Sequence, residues 1–180
     1  RALDDTSGRR ELRYIGSMFE VLVFVYENYW RGDACPELQQ LERKLSAVGF
    51  EADEIRAALT WLSDLNSATQ ATQIILQASP TTPQAPLPAS ALSMRVYSVR
   101  EQDHLGAQCL GFLSFLESAG VLPSHLREIV IDRAMATQGR PVSLDDLKII
   151  VLMVYWSSGM EPDSLVLDEL CDDTSSRVAH

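Results

Sequence analysis

The sequence predicts a mainly α-helical protein: two small helical lobes, built as hairpins or bundles, joined by a Pro-rich linker. Three observations lead there. Apolar residues recur at helical spacing in separate blocks, and those blocks are bracketed by helix-start and helix-stop residues. Between them lies a stretch, Ser67 to Ser93, that carries no charge and contains Pro80, Pro83, Pro86 and Pro88. With 180 residues, 46% of them hydrophobic, the chain has enough apolar material for a core.

Residues 1–17 are polar and mixed in charge, and they are expected to be a disordered extension, with Met18 opening the patterned sequence. The N-terminal lobe, 18–66, starts with a helix apolar on almost every side: Phe19, Val21, Leu22, Val23, Phe24, Val25, Tyr26, Tyr29 and Trp30. Such a helix has to sit in the centre of a core or under a partner. Its β-branched content also suits a strand, and length with the absence of turn residues favours helix. A second helix starts at Pro36, carries Leu38, Leu41, Leu45 and Val48 on one face, and ends at Gly49, a left-handed C-terminal cap that lets Phe50 fold back. Asp53 caps a third, with Ile55, Ala58, Leu59, Leu62 and Leu65 in register and Trp61 at the edge of that face.

Residues 67–93 read as a linker, because proline denies helix hydrogen bonds and little there is large and apolar. The C-terminal lobe, 94–160, is better punctuated. Ser98 and Glu101 form a capping box; Leu105, Cys109, Phe112, Leu113 and Leu116 then share a face until Gly120. After Pro123 follow Leu126, Ile129, Val130 and Ala134, with an end near Gly139. Ser143 caps the last strong helix, Asp145 and Asp146 suit its positive dipole end, and Leu144, Leu147, Ile150, Val151 and Val154 form its stripe. Extended pieces at Arg95–Tyr97 and Pro141–Val142 leave room for a minor two-stranded β ribbon. Residues 161–180, with six acids against one base, form an acidic tail in which Leu165, Leu167 and Leu170 suit a short final helix.

Charge narrows the function. A formal net charge of -10, from 25 acidic and 15 basic side chains, repels phosphate backbones and anionic lipid surfaces. Cys35, Cys109 and Cys171 lie far apart with no CxxC pair, which supports neither a disulfide framework nor zinc-ligand spacing. The apolar run Met18 to Tyr26 is broken by Glu20 and is shorter than the roughly 20 residues that span a bilayer. With no signal peptide before it, a cytoplasmic protein is expected.

In sequence, several blocks resemble the Smg family of bacterial proteins. They are Met18-Phe19-Glu20-Val21-Leu22, Gly49-Phe50 with Ile55 and Ala58-Leu59-Trp61-Leu62, and Ser93-Met94-Arg95-Val96-Tyr97. In the second lobe they continue with Gly111-Phe112-Leu113, Phe115-Leu116-Glu117, Arg127 through Arg133, and Asp145-Asp146-Leu147-Lys148. The resemblance covers Met18 to about Leu170 and implies a mostly helical cytoplasmic bacterial protein with no established biochemical activity and no catalytic residues to carry over. Residues before Met18 and the long charge-free stretch depart from it.

No chemical site emerges. Glu101 and His104 stand in the ExxH spacing of di-iron bundles, but those need a second ExxH and two more carboxylates, and Glu101 already serves as a cap. On an ideal helix Cys109 points about 140° away from His104, so the two make no nucleophile and base pair. His125 falls in a first helical turn and reads as an exposed polar residue. No Gly-rich phosphate loop or Ser nucleophile elbow is present. Neither catalytic residues nor a metal, a cofactor or a small-molecule substrate are therefore expected, and the chain reads as no enzyme.

Protein binding or self-association fits best, in the manner of an adaptor. Its candidate anchors are Phe19, Leu22, Tyr26, Tyr29, Trp30 and Trp61, from the apolar first helix and neighbouring aromatics, with Tyr155 and Trp156 as further aromatics. The alternative is a helix-turn-helix-like nucleic-acid-binding regulator that uses Arg127, Arg133, Arg140 and Lys148, although Glu128, Asp132, Asp145 and Asp146 interleave with them.

Overall fold

In the computed structural model, residues 6–29, 38–77, 95–137 and 141–160 are described, and they form six helices with no strand among them. They are α1 (Thr6–Tyr29), α2 (Leu38–Val48), α3 (Ala52–Gln77), α4 (Val99–Ser118), α5 (Ser124–Met135) and α6 (Leu144–Ser157). Trp30, Pro36, Arg140, the prolines of the expected linker and the acidic tail lie outside the described residues.

The central helix is α6, not α1. Every residue from Asp146 to Tyr155 is buried, because α6 packs against α5, α1, α3 and α4 at once. Its expected stripe accounts for only part of that, since Ile149, Leu152, Met153 and Tyr155 are as buried as Ile150 and Val154. Helix α1 is indeed helical across its apolar run, and it begins at Thr6, inside the stretch expected to be an extension. It lays Met18, Phe19, Val21, Leu22 and Val25 into the core between α3 and α6.

Around Gly49, whose φ of 111° is open only to a residue without Cβ strain, the chain reverses and the Phe50 amide returns to the Leu45 carbonyl at 3.3 Å. The Phe50 ring then meets Phe24 of α1 edge-on, at 5.7 Å between centroids. Helix α3 continues to Gln77, so Ser67–Gln77 is helical rather than linker. The Thr69 hydroxyl bonds back to the Leu65 and Asn66 carbonyls and sits 2.9 Å from the Ser157 hydroxyl of α6. That contact, with α1 on α6 and α3 on α5, joins the two expected lobes through one shared hydrophobic core.

No ribbon forms at Arg95–Tyr97 and Pro141–Val142. Instead the Val142 amide donates to the His104 carbonyl at 2.8 Å, and Arg95 is held by carboxylates of α4 and α5.

Candidate functional site

Three parts of the surface and near-surface carry residues to which chemistry could be assigned. All three involve α4.

Near its first third α4 is kinked. Gly106 takes φ 68°, ψ 169°, a region essentially reserved for glycine, so the helical path breaks there. The His104 carbonyl accepts the Val142 amide, while the Cys109 thiol donates to the Val142 carbonyl at 3.4 Å. One residue of the α5–α6 connection is thus gripped on both sides of the kink. The His104 ring places Nε2 3.2 Å from both the Ala134 carbonyl and Thr137 Oγ1. Thr137 Oγ1 itself donates to Ala134 at 2.7 Å, so the Nε2–H tautomer satisfies the arrangement. Half-buried Ser143 and buried Asp146 cap α6 alongside: the hydroxyl accepts from the Asp146 amide at 3.2 Å and donates to its carboxylate at 2.6 Å. Burial, with the Asp146 charge behind it, pushes the Cys109 thiol up to about 11, which leaves it protonated and a poor nucleophile at neutral pH. The cluster ties α4, α5 and α6 together.

A second part is an alternating run of charges across α4 and α5. Arg95 bonds Glu101 at 2.8 Å and Glu128 at 2.8 Å, Glu128 also takes Arg127 at 2.8 Å, and Arg127 reaches on to Glu117. The Arg95 guanidinium lies 4.6 Å over the Tyr97 ring. Glu101 in addition closes the capping box, accepting from the Ser98 amide at 2.7 Å. Arg95 and these caps hold its carboxyl down to about 2. For Glu128 burial works the other way, yet Arg95 and Arg127 prevail and its carboxyl stays below the usual range.

This network settles where the expected basic patch goes. Arg127 is buried and paired with Glu117 and Glu128. Arg133 is paired with Asp132 at 2.8 Å and faces Asp64 at 3.5 Å. Lys148 is buried, with Nζ 5.9 Å from the Phe112 ring, and Arg140 lies outside the described residues. The three described cations therefore present no cluster to a phosphate backbone. Glu101 and His104 do not converge on a metal either: Glu101 faces Arg95 and His104 faces Thr137, and among the described residues no three His, Cys, Asp or Glu groups gather in metal-binding geometry.

The expected partner anchors are also redistributed. Phe19 and Leu22 are 1% and 0% exposed, in the core between α1 and its neighbours. Trp61 is buried as well, its indole N–H donating to the Arg133 carbonyl at 3.2 Å. A partner cannot reach these three without opening the core, because α3 and α6 already cover two sides of α1. Tyr26 and Tyr29 are half-buried, Tyr29 beneath the Lys44 ammonium at 5.2 Å, and Trp30 is outside the described residues. Tyr155 is buried and donates its hydroxyl to the Val121 carbonyl; Trp156 is half-buried.

The third part, which sequence reasoning missed, is the outer face of α4. Leu105, Cys109, Leu113 and Leu116 point into the core, so Ala107, Gly111, Ser114 and Ser118 run along the opposite side, all exposed. Phe115 beside them is 59% exposed, and from Leu105 to Leu116 the helix holds no charged residue. Gly111 is the anomaly in this row. Its φ is not positive, and a Cβ added to it would meet nothing within 4 Å. Mid-helix glycine costs about 1 kcal/mol relative to alanine, and no turn or close approach among the described residues calls for it. Its signal in the sequence was the absence of charge over three turns, which no motif describes.

No helix among the described residues is long and apolar enough to cross a membrane. Comparison with known proteins gives one family: a profile described as protein of unknown function (DUF494) matches residues 18–180. The chain is similar to the Protein Smg homolog of Leptothrix cholodnii, at 58% identity over 163 residues, covering 91% of this chain and 100% of that protein. Its likeness to the Protein Smg homologs of Methylibium petroleiphilum and Bordetella avium is 55% and 48%, with the same coverage. No solved structure matches it.

Proposed function

The chain belongs to the Smg family (DUF494), and we propose that it is a non-enzymatic cytoplasmic adaptor that binds protein through the outer face of α4. The observation that carries this reading is the exposed, uncharged surface from Ala107 to Phe115, with Phe115 59% exposed on a chain of net charge -10. Solvated helix faces are ordinarily charged, and an exposed aromatic beside small residues suits a contact that excludes water. Among the described residues the remaining chemistry is already engaged: the Cys109 thiol is buried, the His104 ring meets the Ala134 carbonyl, and Arg95 and Arg127 are paired with glutamates. No observation favours the nucleic-acid reading, since among the described residues Arg127 and Arg133 are paired with carboxylates and Lys148 is buried. The half-buried Tyr26 and Tyr29 at the α1–α2 edge extend the surface open to a partner only secondarily.

Site-specific photo-crosslinking in cells tests the proposal. A photoreactive residue at position 115 should capture protein at a yield that the same residue at position 43, on the charged outer side of α2, does not reach. Equal labelling at the two positions would overturn it.

A further inference from the structure

We propose that residues 95–105, the segment leading into α4 together with the part of α4 before its kink, form a hinged flap that opens as one unit about Gly106 and is latched at its far end by Arg95 on Glu128. Burial sets this stretch apart. Of residues 95–105 only Leu105 is buried, whereas beyond the kink Cys109, Leu113 and Leu116 all are. Val96 and Val99 are exposed, and Tyr97 is half-buried against the core. A stretch that buries so little apolar surface is held by its polar contacts, and such stretches open at low free energy ahead of the core.

Those contacts gather at its two ends. Beside the hinge, the His104 carbonyl accepts the Val142 amide at 2.8 Å, and Nε2 lies 3.2 Å from the Ala134 carbonyl and Thr137 Oγ1. At the far end Arg95 donates to both carboxylate oxygens of Glu128, at 2.8 and 2.9 Å. The Tyr97 hydroxyl there comes up to Ser114, with Arg127 and Glu117 around it. On an unbroken helix positions 97 and 114 would stand about 25 Å apart, far beyond the reach of a tyrosine side chain. The turn at Gly106, φ 68° and ψ 169°, therefore brings the flap back toward the rest of α4. A single residue that absorbs so large a backbone change is what a hinge consists of. Glu101 and Tyr97, the other partners of Arg95, belong to the flap and travel with it. The bond to Glu128 crosses to α5 and has to break on opening.

Opening also leaves a mark outside the flap, because Val142 precedes α6 and its amide has the His104 carbonyl for acceptor. Amide hydrogen exchange of the full chain, resolved by NMR at low urea concentrations, reads it. So short a helix does not persist once detached. The amides of residues 102–105 and that of Val142 should therefore share one opening constant, at least tenfold larger than that of residues 109–116. It should respond little to urea, since little surface is uncovered. Glu128→Gln should raise the constant about fivefold at all of these amides and leave residues 109–116 unchanged. Asp132→Asn, which removes a partner of Arg133 further along α5, should alter neither group. A Val142 amide that stays protected while residues 102–105 exchange one after another would show fraying from the helix start, and overturns the proposal. Exchange of residues 102–105 in step with 109–116 overturns it as well, as does a Glu128→Gln effect that spreads to both groups or is matched by Asp132→Asn.

Discussion

Val142 joins the two sides of the α4 kink: its amide donates to the His104 carbonyl at 2.8 Å and its carbonyl accepts the Cys109 thiol at 3.4 Å. The bond to His104 exists because Gly106 breaks the helical path two residues on. Gly106→Ala should therefore be costly, by about 1–3 kcal/mol for a side chain forced into φ 68°, ψ 169°. Urea unfolding measures it, and a variant as stable as wild type would show that the kink is not strained. Gly111→Ala, five residues away on the same helix with ordinary φ, should move stability the other way by about 0.5–1 kcal/mol. Opposite signs at two glycines of one helix make the comparison internal.

Trp61 caps α5. The Arg133 carbonyl lies in the last turn of α5, where the Thr137 amide has turned to Ala134 instead, and the indole N–H of Trp61 fills the vacancy at 3.2 Å. Trp61→Phe keeps most of the buried ring and removes only the donor, so it should cost about 1–2 kcal/mol, against roughly 3–5 kcal/mol for Trp61→Ala. Both are read as shifts in urea midpoint at constant slope. A Trp61→Phe protein as stable as its parent would remove the indole bond from the account of how α3 holds α5.

Glu101 makes stability depend on acid. Its folded carboxyl is held down to about 2 by Arg95 and the Ser98 cap, below an unfolded value near 4.5. A depressed folded pKa gives stability that is complete above the unfolded value and is lost as pH falls from there through about 2. Glu128, lowered by the same arginines against its own burial, adds to the loss. The urea midpoint should thus fall between pH about 4.5 and about 2, and Glu101→Gln, which keeps a capping side chain without the charge, should flatten part of that fall. An unchanged acid slope in Glu101→Gln would assign the effect to other carboxylates.

Much of this fold is written in local signals, and what is not written depends on neighbours. Ser98, Glu101 and Ser143 cap the helices they precede, and Gly49 turns the chain so that Phe50 returns to α1, because caps and turns involve residues a few positions apart. Centrality is different. Met18 to Tyr29 is apolar on almost every side and Ile149 to Trp156 is apolar without a break, yet nothing in either run says that α6, with Asp146 and Lys148 in its first turns, is the helix covered on all sides. A helical stripe tells which face is buried first and not how many helices will come to cover the others. Arg127 and Arg133 meet their sequence neighbours Glu128 and Asp132, which the sequence already shows interleaved with them, while their second partners, Glu117 and Asp64, come from other helices and appear only in the fold. The Gly106 kink was hidden because Leu105 and Cys109, on either side of it, both remain in the core. The α4 outer face was legible in principle, residue by residue, as a helix whose solvent positions are Ala107, Gly111 and Ser114.

Cys109 offers the sharpest chemical test of the structural role given to the kink. Its thiol is 1% exposed, donates to Val142, and is pushed up to about 11 by burial and by the Asp146 charge. At pH about 8 only about one thiol in a thousand is then ionised, and that fraction is also shielded from reagent. Alkylation under native conditions, followed by peptide mass mapping, should leave Cys109 unmodified, with complete modification once urea unfolds the chain. The rate at which native Cys109 does become modified should rise in Gly106→Ala, since loss of the Val142 bridge opens the site without a change in the thiol itself. Rapid native labelling of Cys109 in the wild type would contradict both its burial and its hydrogen bond, and would reopen the question of a reactive cysteine here.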